Sequence, residues 1–208
     1  MRKSIKPHTL TVQDIQVARQ TFEANEPRDL FYRAATELVA LALDGKTSLS
    51  VAEALAVLLQ TWNKMFYQYR RFDSQHFADI ERLISNQHSI LTTFRQRSIE
   101  SFGHEDKAEV TQVFKSFEEV LGPVGAAKCL HLLAPRFFPL WDRAIADAYG
   151  FPLKRKGYNA EQYCSFMEIL KNQSENLGGE QGIGRNLLKT IDEYNYCRYT
   201  KHWIHKAT

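Results

Sequence analysis

From Ser50 onward, apolar side chains recur at steps of three and four residues: Val51, Leu55, Leu58, Leu59, Trp62, Phe66 and Tyr69. That period is the α-helical one and aligns them on a single face. The spacing predicts a long helix from Ser50 to beyond Phe66, the most buried element of the fold, with Leu55, Leu58, Leu59, Trp62 and Phe66 in the core. Ser50 and Glu53 have the spacing of a reciprocal N-terminal cap, as do Thr11 and Asp14, and Asn159 with Gln162 is similar to it. Pro27 suits the first turn of another helix, which Gly45 closes as a C-terminal cap. Further helices are predicted over residues 74–85, 87–100, 106–121, 126–133, 143–149, 159–171 and 184–203. No alternating strand pattern competes with these.

The expected fold is therefore all-α, a multi-helix globule, with residues 1–208 forming one domain and residues 1–49 open to a second reading as an N-terminal helical extension. Composition agrees, because 44% hydrophobic and 25% charged residues is the balance of a chain that folds unaided, not of a disordered one. Cys129, Cys164 and Cys197 are odd in number and form no CxxC pair, so neither a disulfide framework nor a zinc cluster is expected, and a reducing compartment fits. The N-terminus lacks the apolar stretch of a signal peptide, and no run of eighteen apolar residues occurs. The expectation is a cytoplasmic protein without a membrane partner.

The net charge of +3 is too small to argue for a polyanionic partner by itself. Local groups carry more information: Arg70 with Arg71, Arg95 with Arg97, and Lys154, Arg155 and Lys156. Gathered on one face they would contact phosphates; scattered, they are solvated helix ends.

The densest segment is residues 121–150, LGPVGAAKCLHLLAPRFFPLWDRAIADAYG. Gly122, Pro123 and Gly125 can form a tight turn whose amides open a helix, a geometry that serves either as an anion site or as a plain connection between helices. Asp142 follows a proline-bounded loop and precedes a helix-forming run, so its carboxylate can cap that helix. The same position would hold a charge-stabilising group or general base rigidly beside Phe137, Phe138 and Trp141. Lys128, fourteen residues earlier, lies on a helix with Leu130, Leu132 and Leu133. There it either emerges into a cleft shared with Asp142, as a desolvated nucleophile, or extends to solvent.

The arrangement resembles the helix-hairpin-helix DNA glycosylases and glycosylase/lyases of base-excision repair. Leu121, Gly122, Pro123, Val124 and Gly125 are similar to that superfamily's hairpin with its residue order altered, and Pro139 with Asp142 resembles its proline–aspartate element. Lys128 resembles the lysine of the bifunctional members, displaced by one residue and with a shorter interval to the aspartate. The resemblance implies a DNA-binding enzyme that cleaves the N-glycosidic bond of a modified base, with or without lyase activity. Asp142 and Lys128 would then be catalytic. Gly122, Gly125, Arg70, Arg71, Lys154, Arg155 and Lys156 would contact DNA, and Trp62, Phe66, Trp141 and Tyr149 would wall the pocket for a flipped base. No cofactor or metal is expected, because the cysteines form no CxxC pair and, His202 and His205 apart, the histidines are scattered.

Aromatic residues at helical spacing are more often core than pocket wall, and the whole scaffold can also be read as a non-catalytic helical module that binds nucleic acid or protein. The glycines at 178, 179, 182 and 184 match no nucleotide-binding fingerprint and read as a turn capping the last helix.

Overall fold

The computed structural model of the protein describes residues 10–179 and 186–205, with Lys64 described by its backbone alone. The regular structure is helical, and no strand occurs among the described residues. Helices α1 (Val12–Asn25) and α2 (Asp29–Leu43) lead into α3 (Val51–Trp62) and the single turn α4 (Lys64–Tyr67). They are followed by α5 (Ser74–Arg95), α6 (Lys107–Leu133), α7 (Arg143–Ala148), α8 (Ala160–Asn176) and α9 (Leu187–Asn195).

The caps at Thr11 and Ser50 form as their spacing predicts. Each hydroxyl accepts the amide three residues on, at 3.1 Å, and each acid accepts the cap residue's own amide. Gly45 closes α2 with φ of 66°, a left-handed value that glycine adopts without strain. A single cluster of buried apolar side chains extends from Leu10 to Tyr194, to which α1 and α2 contribute Ile15, Ala18, Ala35 and Val39. Around it α2 packs on α3, α5 on α3 and α6, α8 on α6, and α1 on α9. No helix among the described residues is long and apolar enough to cross a membrane.

The helix from Ser50 is shorter than its periodicity predicts. Leu55, Leu58 and Leu59 are fully buried, but α3 stops at Trp62, and Asn63 leaves helical geometry before α4 begins. Trp62 and Phe66 are consequently only half-buried. The break redirects a hydrogen bond: the Phe66 amide turns to Asn63 O at 3.0 Å, and the Trp62 carbonyl instead accepts from Lys128 Nζ at 2.7 Å. An interruption invisible in the apolar pattern thus supplies an acceptor for a lysine 66 residues away.

The predicted helix 74–85 and the first part of 87–100 form one helix, α5, which ends at Arg95; no glycine or proline separates them, and Asn86 is tolerated within it. Helix α6 joins the predicted helices 106–121 and 126–133 across a kink at Gly122, whose φ of 70° and ψ of 170° only glycine adopts easily. Pro123 restarts the helix at a position where no amide is needed. Asn159 does not act as a side-chain cap. Its side chain instead accepts the Lys154 amide at 2.7 Å and donates to the buried Glu118, tying the basic loop to α6.

The most completely buried helix is α9, not α3: every residue from Leu187 to Asn195 is buried. Asn186 caps it by accepting the Lys189 amide at 3.1 Å, and it continues as one π-helical turn, Tyr196–Thr200. The predicted start at Gly184, and the rest of the glycine turn after Gly179, lie outside the described residues.

Candidate functional site

A cavity of about 80 Å³ lies where α1, α2, the end of α3, α6, the start of α7 and α9 converge. Phe22, Tyr32, Trp62, Trp141 and Tyr196 wall it, Glu26 and Arg28 belong to its lining from the α1–α2 turn, and Lys128, Asp142, Lys189 and Asp192 bring charge into it. The space exceeds what a single water needs, and its lining is polar enough to hydrate.

The loop that delivers Asp142 is pinned from several sides. His131 Nδ1 lies 2.8 Å from the Phe138 carbonyl, which can only accept, so Nδ1 carries the proton and Nε2 accepts from the Tyr32 hydroxyl at 3.0 Å. Burial pushes His131 down to about 4, so the imidazole is neutral and the chain Tyr32–His131–Phe138 joins α2 to this loop. Tyr163 donates to Pro139 O at 2.7 Å, and Trp141 Nε1 to Pro123 O at 3.1 Å. Asp142 itself is extended, with φ of −124°, and caps α7 through Oδ1, which accepts the Ile145 amide at 2.8 Å. Its second oxygen accepts the Thr200 hydroxyl at 2.8 Å, offered by the π-helical turn.

Lys128 reaches the cavity from α6, with Nζ 4.7 Å from the centre of the Trp62 ring. Burial lowers its ammonium to about 8, against the opposing pull of Asp142 and Asp192. The proximity of lysine and aspartate that the helix and loop pattern allowed is therefore present, as are Trp62 and Trp141.

Other predicted site residues lie elsewhere. Phe66 does not line the cavity; its ring covers Gly122, where an added Cβ would approach it to 3.2 Å. Gly125 is similarly covered by Asn63, 2.8 Å from the position of an added Cβ. Both glycines are buried against the α3–α4 junction, and close packing explains their small size. Tyr149 is buried away from the cavity, its hydroxyl within 3.1 Å of Gln173 Oε1 and 2.9 Å of Asn195 Oδ1.

Among the basic groups, Arg70 donates to His76 Nδ1, and Arg97 clamps both oxygens of Asp106 at 2.6 and 2.7 Å. Arg95 holds the Leu133 carbonyl, Arg155 stacks on Tyr158, and Lys156 binds the Glu119 carbonyl. Arg71 and Lys154 are exposed, and their side chains have no ion pair among the described residues.

The cavity also contains charges that the pattern did not reveal. Lys189 Nζ lies 3.2 Å from Asp29, 3.6 Å from Glu193 and 3.9 Å from Asp192, and sits over the rings of Phe22 and Tyr32. Lys189 and Asp192 of α9 and Tyr196 of the π-helical turn that continues it occupy positions i, i+3 and i+7, one stripe. On a solvent-facing helix that stripe is ordinary, and only the complete burial of α9 turns it inward.

Carboxylates outnumber ammonium groups here. Burial, reinforced by Asp142 and Glu193, pushes Asp192 up to about 7. An ordinary aspartate ionises near pH 4, so ionising Asp192 costs folding free energy as pH rises from about 4 through 7. Asp192→Asn removes that cost, and its stability relative to the parent is expected to improve across this interval and level off above about pH 8. Urea melts at several pH values measure the difference; a constant offset would contradict the raised carboxyl.

An amine lowered toward neutrality beside a carboxyl raised toward it is the pairing from which acid–base and nucleophilic chemistry is built. No family model matches the chain, and comparison with curated proteins and with solved structures likewise finds no match.

Proposed function

We propose that the cavity is a reaction centre for cleaving the N-glycosidic bond of a modified base in DNA. One observation carries the reading: Lys128 and Asp142, from different elements, converge in one cavity walled by Trp62 and Trp141. The aromatic walls suit a flipped, stacked base. Asp142 would stabilise oxocarbenium-like charge at C1′ or position water, and Lys128, with its ammonium lowered to about 8, would supply a neutral amine to attack the sugar. The resemblance of residues 121–150 to the helix-hairpin-helix glycosylases points the same way. The test is incubation with duplexes carrying uracil, oxidised, alkylated or bulkier modified bases. Release of a free base from at least one is expected, and no release from any by correctly folded protein removes the proposal.

A second reading is supported by the hydrogen bonds themselves. Asp142 has both oxygens engaged by Ile145 and Thr200, and Lys128 Nζ is taken by the Trp62 carbonyl. A helical module that binds nucleic acid without catalysis would use them as structural ties alone.

Either reading makes DNA affinity electrostatic. The slope of log affinity against log salt should be about −0.9 per neutralised phosphate, and the double variant Arg71→Ala/Lys154→Ala should flatten it by about 1.8. An unchanged slope would remove these two side chains as phosphate contacts.

A further inference from the structure

Of the three aspartates that line the cavity, Asp29 is held by Lys189 at 3.2 Å, and Asp142 and Asp192 differ in what they have left to offer. Asp142 has each oxygen occupied as an acceptor, by the Ile145 amide and the Thr200 hydroxyl. Asp192 lines the same cavity, yet among the described residues its carboxyl has no hydrogen bond, and its one ion pair is the 3.9 Å approach to Lys189. Lys189 is itself shared with Asp29 and Glu193, both nearer to it than Asp192 is. A buried carboxyl without an assigned donor or acceptor is a group with capacity for a ligand.

We infer that Asp192 is the acid of this site, delivering a proton to the departing base while Asp142 stabilises the sugar. The assignment rests on the glycosylase reading above. In the step it describes, the C1′–N bond breaks and its electron pair passes to the base nitrogen. The Asp192 O–H gives its proton to that nitrogen or to a conjugated heteroatom of the base, and the oxocarbenium-like sugar is left beside Asp142. Water, or the amine of Lys128, then bonds to C1′, and the proton it sheds returns to the Asp192 carboxylate. The base leaves neutral and the acid is restored.

Charges of both signs face Asp192. Lys189 and Glu193 face it from its own helix, Lys128 from α6 and Asp142 from the start of α7. Burial, with repulsion from Asp142 and Glu193 added to it, outweighs the pull of Lys189 and Lys128 and holds the proton on Asp192 up to about pH 7.

Single-turnover excision by the full chain tests the assignment, on duplexes carrying an excised base and its ring-fluorinated counterpart, which departs more readily as an anion. Asp192→Asn is expected to slow excision of the parent base by about 10²-fold or more and of the fluorinated base by only a few-fold. The fall in parent rate above about pH 7 should vanish in the variant, and Asp192→Glu should restore part of the rate. Equal losses on both bases, or none on either, would overturn the assignment while leaving the glycosylase reading intact. Failure of the parent protein to excise any base would overturn both.

Discussion

Asp142→Asn is expected to lower the rate of base excision by about 10²–10³-fold while leaving folding and duplex affinity nearly unchanged. Asparagine caps helices as well as aspartate does. Its Oδ1 can still accept the Ile145 amide that Asp142 now holds at 2.8 Å, and the Thr200 hydroxyl can rotate to accept from the new amide. The change therefore removes negative charge from the cavity and little else. Thermal melts, duplex binding and single-turnover rates on the three axes separate the outcomes. Retained excision would show that Asp142 serves the cap alone, and a large fall in melting temperature would show that its charge holds the fold.

Leu58→Ala is expected to destabilise the protein by about 2–5 kcal/mol, because it deletes buried methyl groups and leaves a cavity between packed helices. Leu58 is fully buried, and α3 is held between α2 and α5. The effect bears on the site as well, since the last carbonyl of α3, at Trp62, accepts the Lys128 ammonium. A loosened α3 would release that ammonium, so the variant should also bind nucleic acid and react with a different pH dependence. Coincident denaturant melts of variant and parent would contradict the packing of α3 described above.

The helices were legible in the sequence wherever a local cause sets them. The caps at Thr11 and Ser50 and the left-handed Gly45 are decided by residues three or four apart, and they occur as their spacing predicts. What was not legible depends on tertiary contacts. The end of α3 at Asn63 coincides with close packing on Gly125 and with the Lys128 hydrogen bond to the Trp62 carbonyl, neither of which leaves a periodic trace.

The aromatic residues show the same limit. Trp62 and Phe66 are four apart on one face, yet the break between them sends Trp62 to the cavity and Phe66 onto Gly122. Lys189 and Asp192 were missed because a polar stripe on a helix reads as a solvated face. Their burial follows from α9 being enclosed on all sides, a property of the assembled fold. The cap at Asp142 was legible because a carboxylate between a proline-bounded loop and a helix-forming run has the local position of an N-cap.

On the proposed reading, the cavity recognises the positive charge that develops on the sugar, whichever base is the substrate. A duplex with a pyrrolidine ring in place of one deoxyribose presents that charge permanently and needs no knowledge of the base. Its affinity, measured by fluorescence anisotropy, is expected to exceed that of the unmodified duplex by at least about 10²-fold. Asp142→Asn should erase most of the difference without weakening the unmodified duplex. Equal affinities of the parent protein for the two duplexes would contradict the claim.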